Sequence, residues 1–517
     1  RSRRRRCCRG RRGWRRGGGG FVVARLLKER GWEVDVFLLG CSVDTLDRLP
    51  RDAATNAHAW ARTGKVRSMN ISDDSRKVRD DYETLDGADI IVDALFGTGL
   101  TRPLSRVWPL WSITHRAFDD GLWWFGDTCP PYVVAVDLPS GMCSDSGREL
   151  EGNDRSAAWH EARAHLTVTF HRPKVAHFTG DGPLHCTSLR VVDIGLSAEQ
   201  ELDEPIEELP HVRLLEAPRQ APFEGWIGKD RELHKYDHGH AVILSGGVGR
   251  GGAARLAARG ALRVGAGLVT VGCPPAAVME NACRLDAVML RAVDGAAGFM
   301  AFEGLEKVSA VCVGPGFGLG ERCRAMVSAV LSGPGAKGSG GLETHPTDRR
   351  AVVLDADALT SFEGDPPALF SMLHERCVLT PHMGEFRRLF PDIAAKLDAP
   401  AERGPAHSKV DAAREAAARA GCTVLLKGAD TVIASADGRC AINSAAYERA
   451  APWLATAGSG DVLAGFITGL LARGLAPQAA AETGAWLHVE CALRFGPGLI
   501  AEDLPEELPA VFRALDL

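Results

Sequence analysis

Short apolar runs alternate with longer helical stretches along the whole chain, which is the pattern of an α/β protein. In the first half the pattern predicts a helix at residues 21–30 and strands at 33–39, 89–95, 132–137, 166–170 and 189–194. In the second half it predicts an alanine-rich helix at 253–263 and strands at 240–245, 268–271, 310–313, 352–354, 378–379 and 423–426. Apolar runs bounded by Gly and Pro are typical of parallel strands that helices cover on both faces.

The chain length of 517 residues is too great for one ordinary core and predicts more than one domain. We predict a first α/β domain at 17–196, an acidic linker at 197–235, a second α/β domain at 236–517, and loops at 333–350 and 398–407. Residues 1–16 contain ten arginines. A basic arm for nucleic acid is one interpretation of this start; a disordered or wrongly translated start is the one we favour.

Composition excludes several classes of partner. The net charge of -5 gives no reason to expect nucleic acid or an anionic membrane as a partner, and no apolar run approaches the roughly 20 residues that span a bilayer. The 14 cysteines are scattered and form no C-x-x-C pair, so neither a zinc knuckle nor a redox dithiol is indicated. We expect a homo-oligomer in a reducing cytoplasm.

Gly247, Gly249 and Gly252 satisfy the dinucleotide fingerprint G-x-G-x-x-G between a predicted strand and a helix. A hydride-transferring enzyme also needs an acid at the end of the next strand, where the ribose binds. That strand instead ends in Gly272, Cys273 and Pro274. The glycines are therefore better explained as a tight strand-to-helix turn.

The segment L-A-T-A-G-S-G-D-V-L-A-G, residues 454–465, carries the strongest chemical signal. Gly458, Ser459 and Gly460 form a small-residue loop ahead of an apolar helix, so backbone N–H groups and the helix dipole can hold an anion. Asp461 follows at once. An anion hole beside a carboxylate suits phosphoryl transfer, with Asp461 accepting the proton of the substrate hydroxyl. The alternative is that Asp461 is only an N-terminal residue of the helix and has no chemical role.

Other predicted strands also end in polar or glycine-rich motifs. These motifs are G-P-G-F-G at 314–318, D-A-D-A-L at 355–359, T-P-H-M-G-E at 380–385 and K-G-A-D-T at 427–431. The carboxyl ends of parallel strands meet at one edge of a sheet, where α/β proteins bind ligands. Lysine followed by an exposed turn fits a nucleotide phosphate. So many polar strand ends are hard to attribute to packing alone.

The order of these motifs, ending in A-T-A-G-S-G-D-V-L-A-G, resembles the NAD(P)H-hydrate dehydratases from about residue 238 to the end of the chain. The resemblance implies a ribokinase-like domain that removes water from hydrated NADH or NADPH, driven by ADP or ATP with Mg²⁺. Phosphorylating the ring hydroxyl would turn it into a good leaving group. The implied nucleotide ligands are Lys427, Gly428, Ala429, Asp430, Thr431 and Gly460. Ala253, Gly316, His382 and Asp461 would contact the hydrated dinucleotide.

The first half is similar to the partner epimerase, which interconverts the two epimers of the hydrate on a Rossmann-like three-layer domain. The matching motifs are D-A-L-F-G-T-G-L-T-R at 93–102, V-D-L-P-S-G at 136–141 and T-F-H-R-P-K at 169–174. The resemblance implies that Asp137 is the acid or base and contacts the substrate, and that Asp93 and Ser140 help to hold K⁺. It assigns the substrate phosphates to Gly97, Thr98, Gly99, Leu100, Thr101 and Arg102.

One motif of the epimerase family is altered. The usual G-N-N-G-G-D-G reads W-R-R-G-G-G-G at residues 14–20, so its asparagines and aspartate are gone. This predicts an impaired epimerase, or else an incorrect start of the sequence. Two alternatives stay open: a kinase of a small vitamin-precursor alcohol with the same second domain, and a first domain that only binds ligands or mediates oligomerisation.

Overall fold

The computed structural model describes residues 6–8, 18–39, 46–47, 49–69, 88–104, 118, 131–150, 163–196, 212–215, 228–229, 232–333 and 349–517. The chain divides into two compact units. The first contains Arg1–Glu208 and Ala399–Lys409, and the second contains Leu209–Asp398 and Val410–Leu517. Each unit is built on a largely parallel sheet with helices, so the predicted α/β class is confirmed.

The strands of the first unit are β1 (Arg6–Cys8), β2 (Glu33–Val34), β3 (Val36–Leu39), β4 (Val66–Met69), β5 (Ile90–Asp93), β6 (Tyr132–Val136), β7 (Leu166–Phe170) and β8 (Leu189–Val192). They form a six-stranded parallel sheet with the order β2-β1-β5-β6-β7-β8 and a separate parallel pair of β3 with β4. Its helices are α1 (Gly18–Glu29), α2 (Arg51–Ala61) and α3 (Gly182–His185). Apolar residues of α1, α2 and β3 form one of its buried clusters.

Two sequence predictions in this unit are corrected. Arg6–Cys8, inside the start that we expected to be disordered, forms a strand whose backbone pairs with both β2 and β5. The single strand predicted at 33–39 is two strands that belong to different sheets. Asp35 separates them. It is a charged residue that interrupts the apolar run, and its carboxylate lies 3.1 Å from the guanidinium group of Arg67. Residues 9–17, with most of the altered glycine motif, lie outside the described part.

The strands of the second unit are β9 (Val212–Leu214), β10 (His240–Leu244), β11 (Leu268–Cys273), β12 (Met289–Ala292), β13 (Ala310–Val313), β14 (Ala351–Leu354), β15 (Cys377–Leu379), β16 (Thr423–Leu426), β17 (Asp430–Ala434) and β18 (Cys440–Ser444). They form a ten-stranded sheet with the order β12-β11-β10-β13-β14-β15-β16-β17-β18-β9. The strands β10 to β16 run parallel, whereas β17 is antiparallel to both of its neighbours.

Helices follow most strands of this sheet. They are α4 (Gly252–Arg263), α5 (Val278–Ala282), α6 (Gly295–Met300), α7 (Glu321–Ser332), α8 (Asp357–Thr360), α9 (Pro366–Phe370), α10 (Met383–Leu389), α11 (Pro391–Asp398), α12 (Lys409–Ala420), α13 (Ser459–Ala472), α14 (Pro477–Phe495) and α15 (Asp503–Ala514). In the part of the chain that the structure describes, none of the helices combines the length and the apolar character needed to cross a bilayer.

Strand β10 lies between β11 and β13, so the sheet is built outward in both directions from this point. The loops that leave neighbouring strands at such a reversal part and open a crevice at the carboxyl ends of the strands. The loops after β10 and β13 carry the glycine motifs at 246–252 and 314–318. The topology therefore predicts a ligand crevice beside these two loops.

The predicted linker also needs correction. Val212–Leu214, inside the range 197–235, is strand β9, which pairs in parallel with β18 at the edge of the large sheet. The second unit thus begins earlier than the sequence predicted, at Leu209. The acidic residues between 199 and 208 lie outside the described part.

Helix α13 is buried along its length, from Val462 to Ala472. It packs on α4, and the contact is so close that a Cβ on Gly465 would lie 2.1 Å from the carbonyl oxygen of Ala257. A Cβ on Gly469 would lie 2.6 Å from the carbonyl oxygen of Ala261. Only glycine permits this approach of two helix backbones, and the approach fixes the head of α13 over the sheet.

We expect Gly465→Ala to lower the free energy of unfolding of the second unit by roughly 1–3 kcal/mol, because the added methyl group meets backbone atoms that cannot move aside. Gly364→Ala is the matched control, since a Cβ there has no heavy atom within 4 Å. Chemical denaturation of the full chain, followed by tryptophan fluorescence and circular dichroism, measures both variants. Equal stability of the two would contradict the packing described.

Candidate functional site

The N-terminal end of α13, called its head below, is a tight turn that brings in the carboxylate of Asp461. Gly458 has a φ of 89°, in the left-handed region that favours glycine, and the helix begins at the next residue. The Ser459 hydroxyl donates to the carbonyl oxygens of Leu454 and Thr456 at 2.8 and 3.0 Å, which fixes the turn. Asp461 lies in the first turn of the helix, where N–H groups lack helical partners. The local arrangement can hold an anion next to a carboxylate.

Lys427 at the end of β16 is held beside this turn by carboxylates. Its ammonium nitrogen lies 2.8 Å from Oδ1 of Asp355 and 4.0 Å from Oε2 of Glu385. The same nitrogen lies 3.5 Å from the position that a Cβ on Gly460 would occupy. Burial lowers the pKa of Lys427, but the two carboxylates outweigh burial, and the net pKa is raised. The lysine is therefore a permanent cation at the head of α13.

Asp461 has an unusual protonation equilibrium for an aspartate. Burial, followed by the negative charge of Asp355, raises its pKa to about 7, although Lys427 opposes the shift. A carboxylate that titrates near neutrality is well matched to accept a proton from a hydroxyl group during a reaction. The sequence located this residue, but the size of the shift depends on neighbours that only the fold brings together.

A cavity of about 510 Å³ opens next to the same turn. Five of the six residues expected to contact the nucleotide line it, namely Lys427, Gly428, Ala429, Thr431 and Gly460. The sixth, Asp430, is not among the lining residues and instead begins strand β17 opposite Ser444. Most of the remaining wall is apolar, as in pockets that enclose a flat ring system.

Two polar lining residues of this cavity, His488 and Asn443, were not predicted from the sequence. His488 on α14 is buried, and its Nε2–H donates to the carbonyl oxygen of Ser459 at 2.9 Å. This hydrogen bond helps to hold the first turn of α13 in place. Burial lowers the pKa of His488 to about 4, which keeps the ring neutral. Asn443 on β18 donates to the carbonyl oxygen of Ala485 at 2.8 Å. Neither residue belongs to a motif, so no local signal could have found them.

Two of the expected substrate residues of the second unit, Ala253 and Gly316, lie together beside the loops after β10 and β13. A Cβ on Gly316 would lie 3.3 Å from the Cβ of Ala253, so the loop after β13 touches the first turn of α4. His382 caps α10, and its Nδ1 accepts from the N–H groups of Gly384 and Glu385 at 2.9 and 3.3 Å. The imidazole is more than half exposed, and its Nε2 lies 3.5 Å from Oε1 of Glu385.

The first unit brings a second set of motif residues together around Asp137. Its Oδ1 accepts from Lys174 Nζ at 2.5 Å and from the Thr169 hydroxyl at 3.0 Å, and its Oδ2 accepts from the Thr98 N–H at 3.2 Å. Asp137 has a φ of 74°, a strained conformation that is frequent at functional sites. Burial raises its pKa, but Lys174 outweighs burial and the net pKa is lowered. Asp137 is therefore ionised at neutral pH.

His177 fixes the backbone at Asp137 and Lys174 through two hydrogen bonds. Its Nε2–H donates to the carbonyl oxygen of Asp137 at 2.8 Å, and its Nδ1 accepts from the Lys174 N–H at 2.9 Å. Burial lowers the pKa of His177 to about 4, so the ring stays neutral and keeps both bonds. Neither His177 nor the direct role of Lys174 was assigned from the sequence, because both depend on the turn that follows β7.

Asp93 and Ser140, the expected potassium ligands, lie in direct contact. Asp93 accepts from the Ser140 N–H at 2.8 Å, from the Ser140 hydroxyl at 2.6 Å and from the Leu95 N–H at 3.2 Å. These hydrogen bonds lower the pKa of Asp93, but burial outweighs them and the net pKa is raised. Among the described residues no charged group contributes to this shift. A buried carboxylate without a counter-ion is costly, so the oxygen atoms of this pair could serve as ligands for a cation.

The expected phosphate loop runs through residues 97–102 and begins against the same cluster. A Cβ on Gly97 would lie 2.8 Å from Oδ2 of Asp137, which explains why glycine is needed there. Gly99 has a φ of 98°, and Thr101 and Arg102 are exposed. Leu100 is buried, so of this loop it is the residue least able to meet a phosphate through its side chain.

Comparison with known proteins agrees with both sets of motifs. The family described as NAD(P)H-hydrate dehydratase matches residues 241–509, and the family described as YjeF-related protein N-terminus matches residues 7–176. A bifunctional NAD(P)H-hydrate repair enzyme Nnr from Moorella thermoacetica is 34% identical, over 97% of this chain and 86% of the relative. The enzyme of that name from Salinibacter ruber is 33% identical, over 96% and 85%.

A crystal structure of ADP/ATP-dependent NAD(P)H-hydrate dehydratase from Bacillus subtilis, co-crystallized with ATP/Mg²⁺, is 28% identical and covers 56% of this chain and 93% of that one, with a TM-score of 0.43. The family matches and the two full-length relatives cover both units. The resemblance that the motifs indicated is confirmed: the chain belongs to the family of bifunctional NAD(P)H-hydrate repair enzymes.

Proposed function

We propose that the second unit dehydrates hydrated NADH or NADPH at the expense of ADP or ATP, and that the first unit interconverts the two epimers of the hydrate. Family membership supports both activities. The observation that carries the proposal is local: Asp461, with its pKa near 7, stands at the head of α13, next to Gly460 on the wall of the cavity.

The geometry suits transfer of a phosphoryl group to the ring hydroxyl of the substrate. The nucleotide would occupy the cavity, with its phosphates directed toward Lys427 and the N–H groups at the head of α13. The substrate would enter the crevice beside Ala253, Gly316 and His382. Asp461 would accept the hydroxyl proton while the hydroxyl oxygen attacks the terminal phosphoryl group. The positive groups stabilise the charge that develops on the phosphoryl oxygens.

Elimination then completes the reaction. The lone pair of the ring nitrogen expels the phosphate with cleavage of the carbon–oxygen bond, and loss of a proton from the neighbouring carbon restores the ring double bond. Inorganic phosphate, the shortened nucleotide and NADH or NADPH leave. Because the hydroxyl must first be phosphorylated to become a leaving group, a phosphoryl-transfer fold can serve a dehydratase.

Magnesium would enter with the nucleotide. Among the described residues there is no group of three or more His, Cys, Asp or Glu side chains that could hold a metal ion. This fits Mg²⁺ held mainly by phosphate oxygens and water, as in many nucleotide-dependent enzymes. The ion supplies charge neutralisation on the phosphates when it is bound.

In the first unit, Asp137 would exchange the proton during epimerisation, Thr98 and its neighbours would contact the substrate, and Asp93 with Ser140 would hold K⁺. The intact contacts among Asp137, Lys174 and Thr169 support an active site and weigh against a purely binding module. We place the protein in the cytoplasm, where NADH and NADPH are abundant, and expect it to be a homo-oligomer.

Asp461→Asn should abolish recovery of NADPH absorbance from hydrated NADPH with ADP or ATP, because the amide cannot accept the proton. We expect a loss of at least about 100-fold in kcat, the contribution typical of a general base. Asp392→Asn, on an exposed carboxylate paired with Arg419 at 2.6 Å, should keep full activity. Phosphorylation of a thiazole or pyrimidine alcohol without recovery of NADPH would favour the vitamin-kinase alternative.

The dehydratase rate should fall as the pH drops below neutrality. The raised pKa of Asp461 means that its carboxylate is protonated below about 7 and cannot accept a proton there. The measurement is kcat/KM for hydrated NADPH between pH 5.5 and 9 with saturating nucleotide, run against the Asp392→Asn control. A rate that stays flat down to pH 5.5 would show that Asp461 is not the base.

Asp137→Asn should stop the conversion of one pure epimer into the other, which chiral chromatography follows directly, and should leave dehydration of the correct epimer unchanged. Thr55→Ala, at an exposed position on α2, is the control for the first unit. Continued epimerisation by Asp137→Asn at the wild-type rate would assign the chemistry to another residue. A wild-type chain that dehydrates the correct epimer but does not interconvert the epimers would instead support an impaired epimerase.

A further inference from the structure

The segment Ala399–Lys409 belongs to the first unit, although in sequence it joins helices α11 and α12. It also lies inside the range that matches the dehydratase family, residues 241–509. Sequence therefore places this stretch with the dehydratase, whereas the fold places it with the motif residues of the epimerase. A stretch of chain so far from the rest of its unit in sequence is held there by specific contacts.

Hydrogen bonds hold the segment near both of its ends. Arg148 donates through Nη1 to the carbonyl oxygen of His407 at 3.3 Å and through Nη2 to the carbonyl oxygen of Ala399. The Ala406 N–H donates to Sγ of Cys143 at 3.3 Å. Arg148 and Cys143 follow the V-D-L-P-S-G motif in the chain. The segment is therefore tied to a part of the first unit that carries expected site residues.

Apolar side chains of the segment pack in the same region. Ala401 and Ala406 are 4% and 6% exposed, and they form one buried cluster with Leu100, Cys143 and Leu150. This contact explains why Leu100 is buried although both of its neighbours in the phosphate loop are exposed. The Leu100 side chain therefore anchors the loop to the segment.

Gly404 brings the backbone of the segment against the backbone of the phosphate loop, residues 97–102. Its N–H donates to the carbonyl oxygen of Thr101 at 3.2 Å. A Cβ on Gly404 would lie 2.5 Å from the carbonyl oxygen of Leu100 and 3.3 Å from the Cα of Thr101. Only glycine permits so close an approach of two backbones.

The phosphate loop is thus held at two points. Near its start, the Thr98 N–H donates to Oδ2 of Asp137 at 3.2 Å, and near its end Thr101 is bound by Gly404. The loop contains two glycines and would otherwise lose much conformational entropy when it binds a ligand. A loop that is ordered before the ligand arrives binds that ligand more tightly.

We propose that the segment Ala399–Lys409 is a positioning element of the epimerase site, which acts through Gly404 by holding the phosphate loop in its binding conformation. The inference rests on the proposed epimerase function for its biological meaning. It extends that function, because a stretch that sequence assigns to the dehydratase becomes necessary for tight binding of the hydrated dinucleotide by the first unit.

Gly404→Ala in the full chain tests the proposal, because the added methyl group meets the carbonyl oxygen of Leu100. The KM for interconversion of one pure epimer should rise roughly tenfold or more. The kcat should change much less, because the contacts of Asp137 with Lys174 and Thr169 do not involve the segment. Dehydration of the correct epimer should keep its kcat and KM. Glu402→Ala, at an exposed position of the same segment, is the matched control and should change none of these values.

Hydrogen exchange measured by mass spectrometry gives a readout that needs no reaction. Amide protons of residues 97–102 should exchange faster in Gly404→Ala than in the wild type or in Glu402→Ala, while the strands of the first unit stay protected. Arg148→Met is a second variant, which removes the hydrogen bonds to the segment without adding bulk. It should move both the exchange and the KM in the same direction as Gly404→Ala.

Unchanged exchange at residues 97–102 and unchanged KM in both variants would overturn the proposal. Faster exchange over the whole first unit would also overturn it, since the segment would then only support the fold. If Gly404→Ala does not fold, Arg148→Met decides. Faster exchange confined to residues 97–102, in a chain whose wild type never interconverts the epimers, would support the positioning role and refute the proposed epimerase function.

Discussion

The close approach of α13 to α4 is the constraint on which the site of the second unit depends. Gly465 and Gly469 let the two backbones touch, and the helix is buried from Val462 onward. A helix buried in this way cannot rotate or slide, so its first turn is held at a fixed place over the carboxyl ends of the strands. The anion-holding turn and the Asp461 carboxylate gain their precision from this packing.

Burial also creates the electrostatics of the site. Carboxylates at the ends of β14 and α10 are removed from water and share a single ammonium group from the end of β16. Burial, followed by the negative charge of Asp355, raises the pKa of Asp461 to about 7, whereas in the first unit Lys174 outweighs burial and lowers the pKa of Asp137. Two aspartates of one chain therefore have opposite pKa shifts, because burial prevails at one and a directly paired cation prevails at the other.

The sequence predicted the elements whose signal is local. Buried strands appeared as short apolar runs, and the turn at Gly458–Asp461 appeared as small residues before an apolar helix. The split between β2 and β3, the addition of β9 to the large sheet and the strand at Arg6–Cys8 depend on pairing with distant strands, which periodicity does not report. The pairing of Lys427 with Asp355 and the support from His488 arise across residues that are far apart in sequence.

An oxygen-isotope experiment tests most directly whether this site phosphorylates the hydroxyl that it removes. Hydrated NADPH is prepared in ¹⁸O-water, so that its ring hydroxyl carries the label, and is then dehydrated by the full chain with ATP in ordinary water. If the hydroxyl oxygen attacks the phosphoryl group and the carbon–oxygen bond then breaks, mass spectrometry will find the ¹⁸O in inorganic phosphate. Label found only in water, with unlabelled phosphate, would contradict the phosphoryl-transfer account.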